Sequence, residues 1–143
     1  MRVRGEVRLP VGRSDAWQRL IQWERQPEWM VDAVSVRVAG PLRAGVGACI
    51  VVRTNVLGAP LLTDRLEVTE WDPPRRLVMT RRGFVRGLGE WRLQPAGPGT
   101  RFVWDEQIRM PIPVLGELTL LLYRPVMRRL MQRSMANLAA ALR

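Results

Sequence analysis

The chain has 143 residues, 47% of them hydrophobic and 25% charged, with a mean hydropathy of −0.10, a composition that excludes disordered, collagenous and coiled-coil proteins. Its 23 basic and 13 acidic residues give a formal charge of +10, carried on the basic side by arginine alone. Histidine is absent and Cys49 is the single cysteine, which excludes Ser-His-Asp and Cys-His catalysis, imidazole-ligated metals and internal disulfides.

At this length one domain spanning residues 1–143 is expected. Residues Arg2 to Leu9 alternate strictly, with Val3, Gly5, Val7 and Leu9 on one face, and predict a half-buried first strand. Pro10 and Gly12 end it, and Ser14 stands where an N-cap belongs, ahead of Trp17, Leu20 and Ile21 at helical spacing. A second short helix is expected over Trp23–Val31, with Pro27 in its first turn or in the bend before it.

From Ala33 on, β-branched runs alternate with turn residues. Strands are predicted over 34–39, 48–56, 62–71, 76–82, 87–94 and 100–110, with turns at Gly58/Pro60, at Asp72-Pro73-Pro74-Arg75 and over Pro95–Gly99. Beyond Pro113 the period becomes 3.6. Leu120, Tyr123, Met127, Leu130, Met131, Ser134, Leu138 and Ala141 form one stripe of a long amphipathic helix that Pro125 is expected to kink.

This order, together with Ser14-Asp-Ala-Trp17-Gln-Arg-Leu20, Trp23-Glu-Arg-Gln-Pro27-Glu-Trp29, Thr69-Glu-Trp-Asp-Pro-Pro-Arg-Arg-Leu77 and Gly89-Glu-Trp-Arg-Leu-Gln-Pro95 followed by Gly99-Thr-Arg-Phe-Val-Trp104, resembles the START-like (SRPBCC) superfamily. The branch it resembles is the polyketide cyclase/dehydrase and lipid-transport group. The resemblance implies an α+β helix-grip fold: a curved seven-stranded antiparallel sheet wrapped around the C-terminal helix, two short helices after strand one, and an apolar cavity between sheet and helix. Packing leads to the same picture, since one helix cannot cover both faces of such a sheet, and a sheet curled around it leaves concave volume.

Strand parity puts Phe102, Trp104, Glu106 and Ile108 on one face of the last strand, and Asp64, Leu66, Val68 and Glu70 together on an earlier one. Glu106 and Asp64 are therefore the candidate catalytic carboxyls, if the protein is an enzyme; against that stands the more common role of such a carboxylate as an arginine-paired structural group. The candidate ligand-binding residues are Trp91, Phe102, Trp104, Glu106, Ile108 and Leu66 on the sheet, and Tyr123, Met127, Leu130 and Met131 on the helix. The plainer alternative for the methionines is core filling. Ser134 is expected to bond its own helix's carbonyl at the preceding turn.

The function expected is the binding of a small hydrophobic or aromatic molecule, such as a polyketide, lipid or quinone-like compound, with no cofactor and no metal. Two alternatives stand beside it. One is an aromatase/cyclase-like enzyme acting through Glu106 or Asp64. The other is a protein- or membrane-interaction module, with peripheral membrane contact through the clusters Arg75/Arg76, Arg81/Arg82/Arg86 and Arg128/Arg129/Arg133. Nucleic acid is the partner argued against, because the positive charge comes with neither a recognition helix nor a groove of stacking aromatics. The run Leu115–Tyr123, apolar almost all round, is expected either to be buried on all sides or to line a mouth. The charged start Met1-Arg-Val-Arg-Gly-Glu-Val is unlike a secretory leader and points to the cytoplasm; oligomeric state is not readable from the sequence.

Overall fold

The computed structural model describes residues 1–56, 59–83 and 85–143. In chain order the elements are β1 (Arg2–Leu9), α1 (Arg13–Leu20), a 3-10 turn (Trp23–Glu28), β2 (Ala33–Ala39), β3 (Cys49–Val56), β4 (Ala59–Asp72), β5 (Arg76–Arg82), β6 (Arg86–Ala96), β7 (Gly99–Arg109) and α2 (Leu115–Ala141). The strands form one antiparallel sheet in the order β1-β7-β6-β5-β4-β3-β2. Each strand from β2 to β6 thus pairs with its successor, and β1 pairs with β7. The sheet curls into a half-barrel around α2, a helix-grip α+β fold.

Several local expectations are corrected. Gly12, not Ser14, precedes α1: its extended backbone accepts from the Ala16 N–H at 3.0 Å, and no side chain caps the helix. The segment around Pro27 is a single 3-10 stretch that stops at Glu28, a geometry suited to short pieces. Pairing continues through Pro95 and Ala96, so the β6–β7 hairpin turns on Gly97 and Pro98 alone, with Gly97 at φ +60°. Pro60 belongs to β4 rather than to a turn, and the turn residue Gly58 lies outside the described residues. Ala141 is exposed, and Met135 and Ala139 take the buried positions on α2 instead. Helix α2 continues through Pro125 without a break.

Helix and sheet meet most closely at β1. A Cβ on Gly5 would lie 3.1 Å from Met135 Sδ and 3.2 Å from Met131 Sδ, so the absent side chain is what lets α2 settle there. One end of the grip is filled. Trp17 of α1 stands edge-on to Trp71 at 5.1 Å, and Leu9, Leu20, Leu93 and Leu138 are almost fully buried in the same core cluster. Trp91 anchors the centre, with Trp23, Trp29, Phe102 and Trp104 all 6.0–6.4 Å from it.

Toward the other end a second, smaller apolar cluster of Val85, Ile108 and Leu120 is formed. The interior between the two clusters is not filled by side chains.

Candidate functional site

That interior space is a cavity of about 300 Å³. Strands β2 to β7 line it on the sheet side and α2 lines it from Thr119 to Ser134. Leu66 of β4, Leu77 and Met79 of β5, Trp91 of β6 and Trp104 and Ile108 of β7 make the sheet wall. Tyr123, Met127, Leu130 and Met131, on one side of successive helical turns, make the opposite wall. Phe102 is absent from both walls: it is fully buried two residues along β7, stacked 6.4 Å from Trp104 and edge-on to Trp91. It supports the two rings that do line the space.

The apolar walls carry a compact ionic cluster. Glu106 and Asp64 face the cavity and are 7% and 5% exposed. Arg81 lies between them: its Nη1 donates to Asp64 Oδ2 at 2.7 Å, and its Nε is 3.6 Å from Glu106 Oε2. Glu106 Oε1 accepts from the Trp104 indole N–H at 3.0 Å, while Oε2 and Arg81 Nε are buried with no hydrogen-bond partner. Gly89, opposite Glu106 in the β6–β7 ladder, provides the space for the carboxylate, since a Cβ there would lie 3.0 Å from Oε1.

A third carboxyl, Asp32, lines the same cavity just before β2. Desolvation pushes the Asp32 carboxyl above the usual range, with Arg81 pulling it down and Asp64 pushing it further up. Burial likewise raises Asp64, against the pull of Arg81. For Arg81 burial works toward a lower value, but Glu106 and Asp64 outweigh it and hold the guanidinium charged. The half-buried Tyr123 phenol is raised by desolvation and by Asp32.

Two members of this cluster, Arg81 and Asp32, are missed by the sequence reading. The adjacency of Arg81 to Arg82 and Arg86 suggests a surface cluster, yet Leu77, Met79 and Arg81 are spaced by two along β5 and share the inner face. That spacing is the available signal. Glu70, expected beside Asp64, is exposed and paired with Arg76. A register shift between Val68 and Glu70 turns the strand by one residue, so that Trp71 packs against Trp17. Ser134 accepts from the Val31 backbone N–H at 3.0 Å rather than bonding within its own helix. With the 3.3 Å bond from Asn137 to the Trp29 carbonyl, it ties the segment after the 3-10 turn to α2.

The arginine clusters do not form one basic face. Arg75 and Arg76 stand at one end of β5, paired with Asp72 and with Glu70 and Glu90; Arg82, paired with Glu67, stands at the other. Arg128, Arg129 and Arg133 lie on a different element, α2. The start of α2 is not buried on all sides, since Leu115, Leu118, Leu121 and Leu122 are more than half exposed while Thr119, Leu120 and Tyr123 turn to the cavity. No helix among the described residues is long and apolar enough to cross a membrane.

Comparison with solved structures places this architecture among known ones. The chain is similar over 99% of its length to TTHA0849 from Thermus thermophilus, with 22% identity, a TM-score of 0.81 and 99% of that chain covered. It is similar to the Zhui aromatase/cyclase from Streptomyces sp. R1128, with 14% identity, a TM-score of 0.82, and 99% of this chain and 93% of that chain covered. A START superfamily protein from Mycobacterium smegmatis aligns with 14% identity, a TM-score of 0.70 and the same coverages of 99% and 93%. No curated protein matches the sequence. The family model described as polyketide cyclase / dehydrase and lipid transport matches residues 1–143. A half-barrel clasping one long helix around an unfilled cavity thus coincides with a match from the first residue to the last, and the chain belongs to the polyketide cyclase / dehydrase and lipid transport family.

Proposed function

We propose that the protein binds a small ligand with an apolar or aromatic body in the cavity between sheet and α2. The observation that carries this reading is the cavity itself, about 300 Å³ walled by Trp, Leu, Ile and Met side chains, with a few polar groups at one place. That combination is the general form of a small-molecule site. The volume is about twice the ~150 Å³ of an apolar cavity that takes one benzene, which suits a body of two fused rings. Burial of apolar ligand surface supplies the affinity, at about 25 cal/mol per Å². Trp91, Trp104, Ile108, Leu66, Met127, Leu130 and Met131 are the apolar contacts proposed, and Glu106 and Tyr123 the orienting groups.

Native mass spectrometry of protein freshly purified from its expression host tests this. A co-purifying apolar compound, lost from a variant whose cavity is filled, is the result expected. If the wild-type protein is ligand-free and also fails to take up naphthalene-sized compounds added to it, the reading is wrong.

A second reading, ring-forming catalysis on such a ligand, is favoured by one observation: burial shifts the Asp64 and Asp32 carboxyls toward the protonated form needed in a proton donor. The likeness in fold to an aromatase/cyclase accompanies it. In this reading Asp64 or Glu106 moves the proton and Arg81 faces developing negative charge. Unchanged turnover of a candidate poly-ketone by both Asp64→Asn and Glu106→Gln would remove it.

A further inference from the structure

The chain as a whole is strongly basic, yet the wall of its cavity is not. Among the described residues, the acidic and basic side chains lining the cavity are Asp32, Asp64 and Glu106 against Arg81 alone. One guanidinium faces three carboxyls, and its one hydrogen bond to them is already made to Asp64. No positive charge is left over to receive an anion.

Glu106 has the opposite need. The residue is only 7% exposed, Oε1 is held by Trp104, and Oε2 lacks a donor although Arg81 Nε stands 3.6 Å away, beyond hydrogen-bond range. A buried carboxylate oxygen without a donor is costly, and a charged donor offsets that cost most effectively. Trp91 and Trp104 line the same wall, and indole faces attract cations.

We propose that the cavity selects its ligand by charge: it accepts an apolar, bicyclic-sized body carrying a protonated amine, with the ammonium donating to Glu106 Oε2, and it rejects the matching carboxylate. This inference rests on the ligand-binding reading above and adds the chemical class of the ligand's polar end. An ammonium offers three donors, one for Glu106, with the carboxyl oxygens of Asp32 and Asp64 lining the same cavity as further acceptors. A carboxylate entering there loses its hydration and meets an excess of like charge.

Three probes that differ only in the end group test it: 2-(2-naphthyl)ethylamine, 2-(2-naphthyl)ethanol and 2-naphthylacetic acid, titrated calorimetrically into the full chain at neutral pH. The amine is expected to bind about tenfold or more tighter than the acid, a difference of about 1.4 kcal/mol, with the alcohol between them. Glu106→Gln and, independently, Asp32→Asn should each narrow the gap between amine and acid, read as the ratio of their affinities within that variant, and circular dichroism checks that each variant is folded. Acid binding as tightly as amine, or alcohol binding tighter than amine, overturns the charge selection and leaves the binding reading standing. If none of the three binds, the binding reading fails and the inference falls with it.

Discussion

Arg81 Nε stands 3.6 Å from Glu106 Oε2 while Nη1 of the same guanidinium donates to Asp64 at 2.7 Å, so a single cation joins two carboxyls on different strands. Removing one member of such a buried cluster leaves the others uncompensated, at a cost of about 3–5 kcal/mol. Arg81→Met should therefore destabilise the protein by about that amount at pH 7, and by less at pH 4.5, because acid favours the neutral form of the Asp64 carboxyl that burial already raises. Urea denaturation at the two pH values measures this. An equal loss at both would mean that Arg81 acts through packing rather than charge.

Asp32 is predicted to set part of the stability profile with pH. Burial raises its folded-state pKa above the unfolded value, so its contribution to stability is fully present below the ordinary aspartate range near 4 and is lost as pH rises through the raised value. Asp32→Asn removes that loss. The variant should gain on the wild type in melting temperature between pH 4 and pH 7; a variant-minus-wild-type difference that stays constant or falls with rising pH contradicts the assignment.

Asp105 shows the opposite sign on the outer face. Its hydrogen bond from Arg2, at 2.6 Å, holds the carboxyl below the usual range, and this contribution is lost on acidification rather than gained.

Two glycines of β6 separate space for a carboxylate from space for the backbone. A Cβ on Gly89 would meet the Glu106 carboxylate at 3.0 Å, whereas one on Gly87, at φ +146°, would fall 1.8 Å from the Gln107 carbonyl oxygen. Gly87→Ala should cost about 2 kcal/mol or more. Gly89→Ala should cost less than about 1 kcal/mol and instead weaken binding by displacing Glu106. Thermal melts and the amine titration together measure both; a Gly89→Ala protein with unchanged amine affinity would show that the carboxylate's position is unimportant.

Val114 precedes α2 with φ +63° and ψ −61°, and the Leu115 N–H bonds back to the Pro113 carbonyl at 2.7 Å. This is a γ-turn with positive φ, strained for a β-branched residue. The residue is 76% exposed, so little burial is lost on removal of its side chain. Val114→Gly should raise stability by about 1 kcal/mol, the relief of strain exceeding the added unfolded-chain entropy. A lower melting temperature would contradict this.

What the sequence reveals of this protein depends on how local the determinant is. The limits of β1 and β5 match their alternation and turn residues residue for residue, because each is fixed by a period of two and an adjacent breaker. Glu106 could be placed inward by parity alone. Glu70 could not be placed correctly, because the register shift that turns it outward is a property of the β4–β5 pair rather than of either strand.

Asp32 lies in a turn without periodicity, and only the fold brings it to the cavity. Arg81 is readable from its spacing with Leu77 and Met79, but its adjacency to Arg82 points instead to a surface cluster. Ser134 has a partner 103 residues away in sequence, which no helical pattern indicates.

Ligand binding requires that the space beneath α2 admit a molecule, and a cavity-filling variant tests that most directly. Leu66 lines the sheet wall and is only partly buried, so Leu66→Trp should occupy the cavity while the protein still unfolds cooperatively. Calorimetric titration with the neutral 2-(2-naphthyl)ethanol should show saturable one-to-one binding to the wild type and none to Leu66→Trp. Absence of saturable binding to the wild type, or equal affinity for the folded variant, would contradict a ligand site in this cavity.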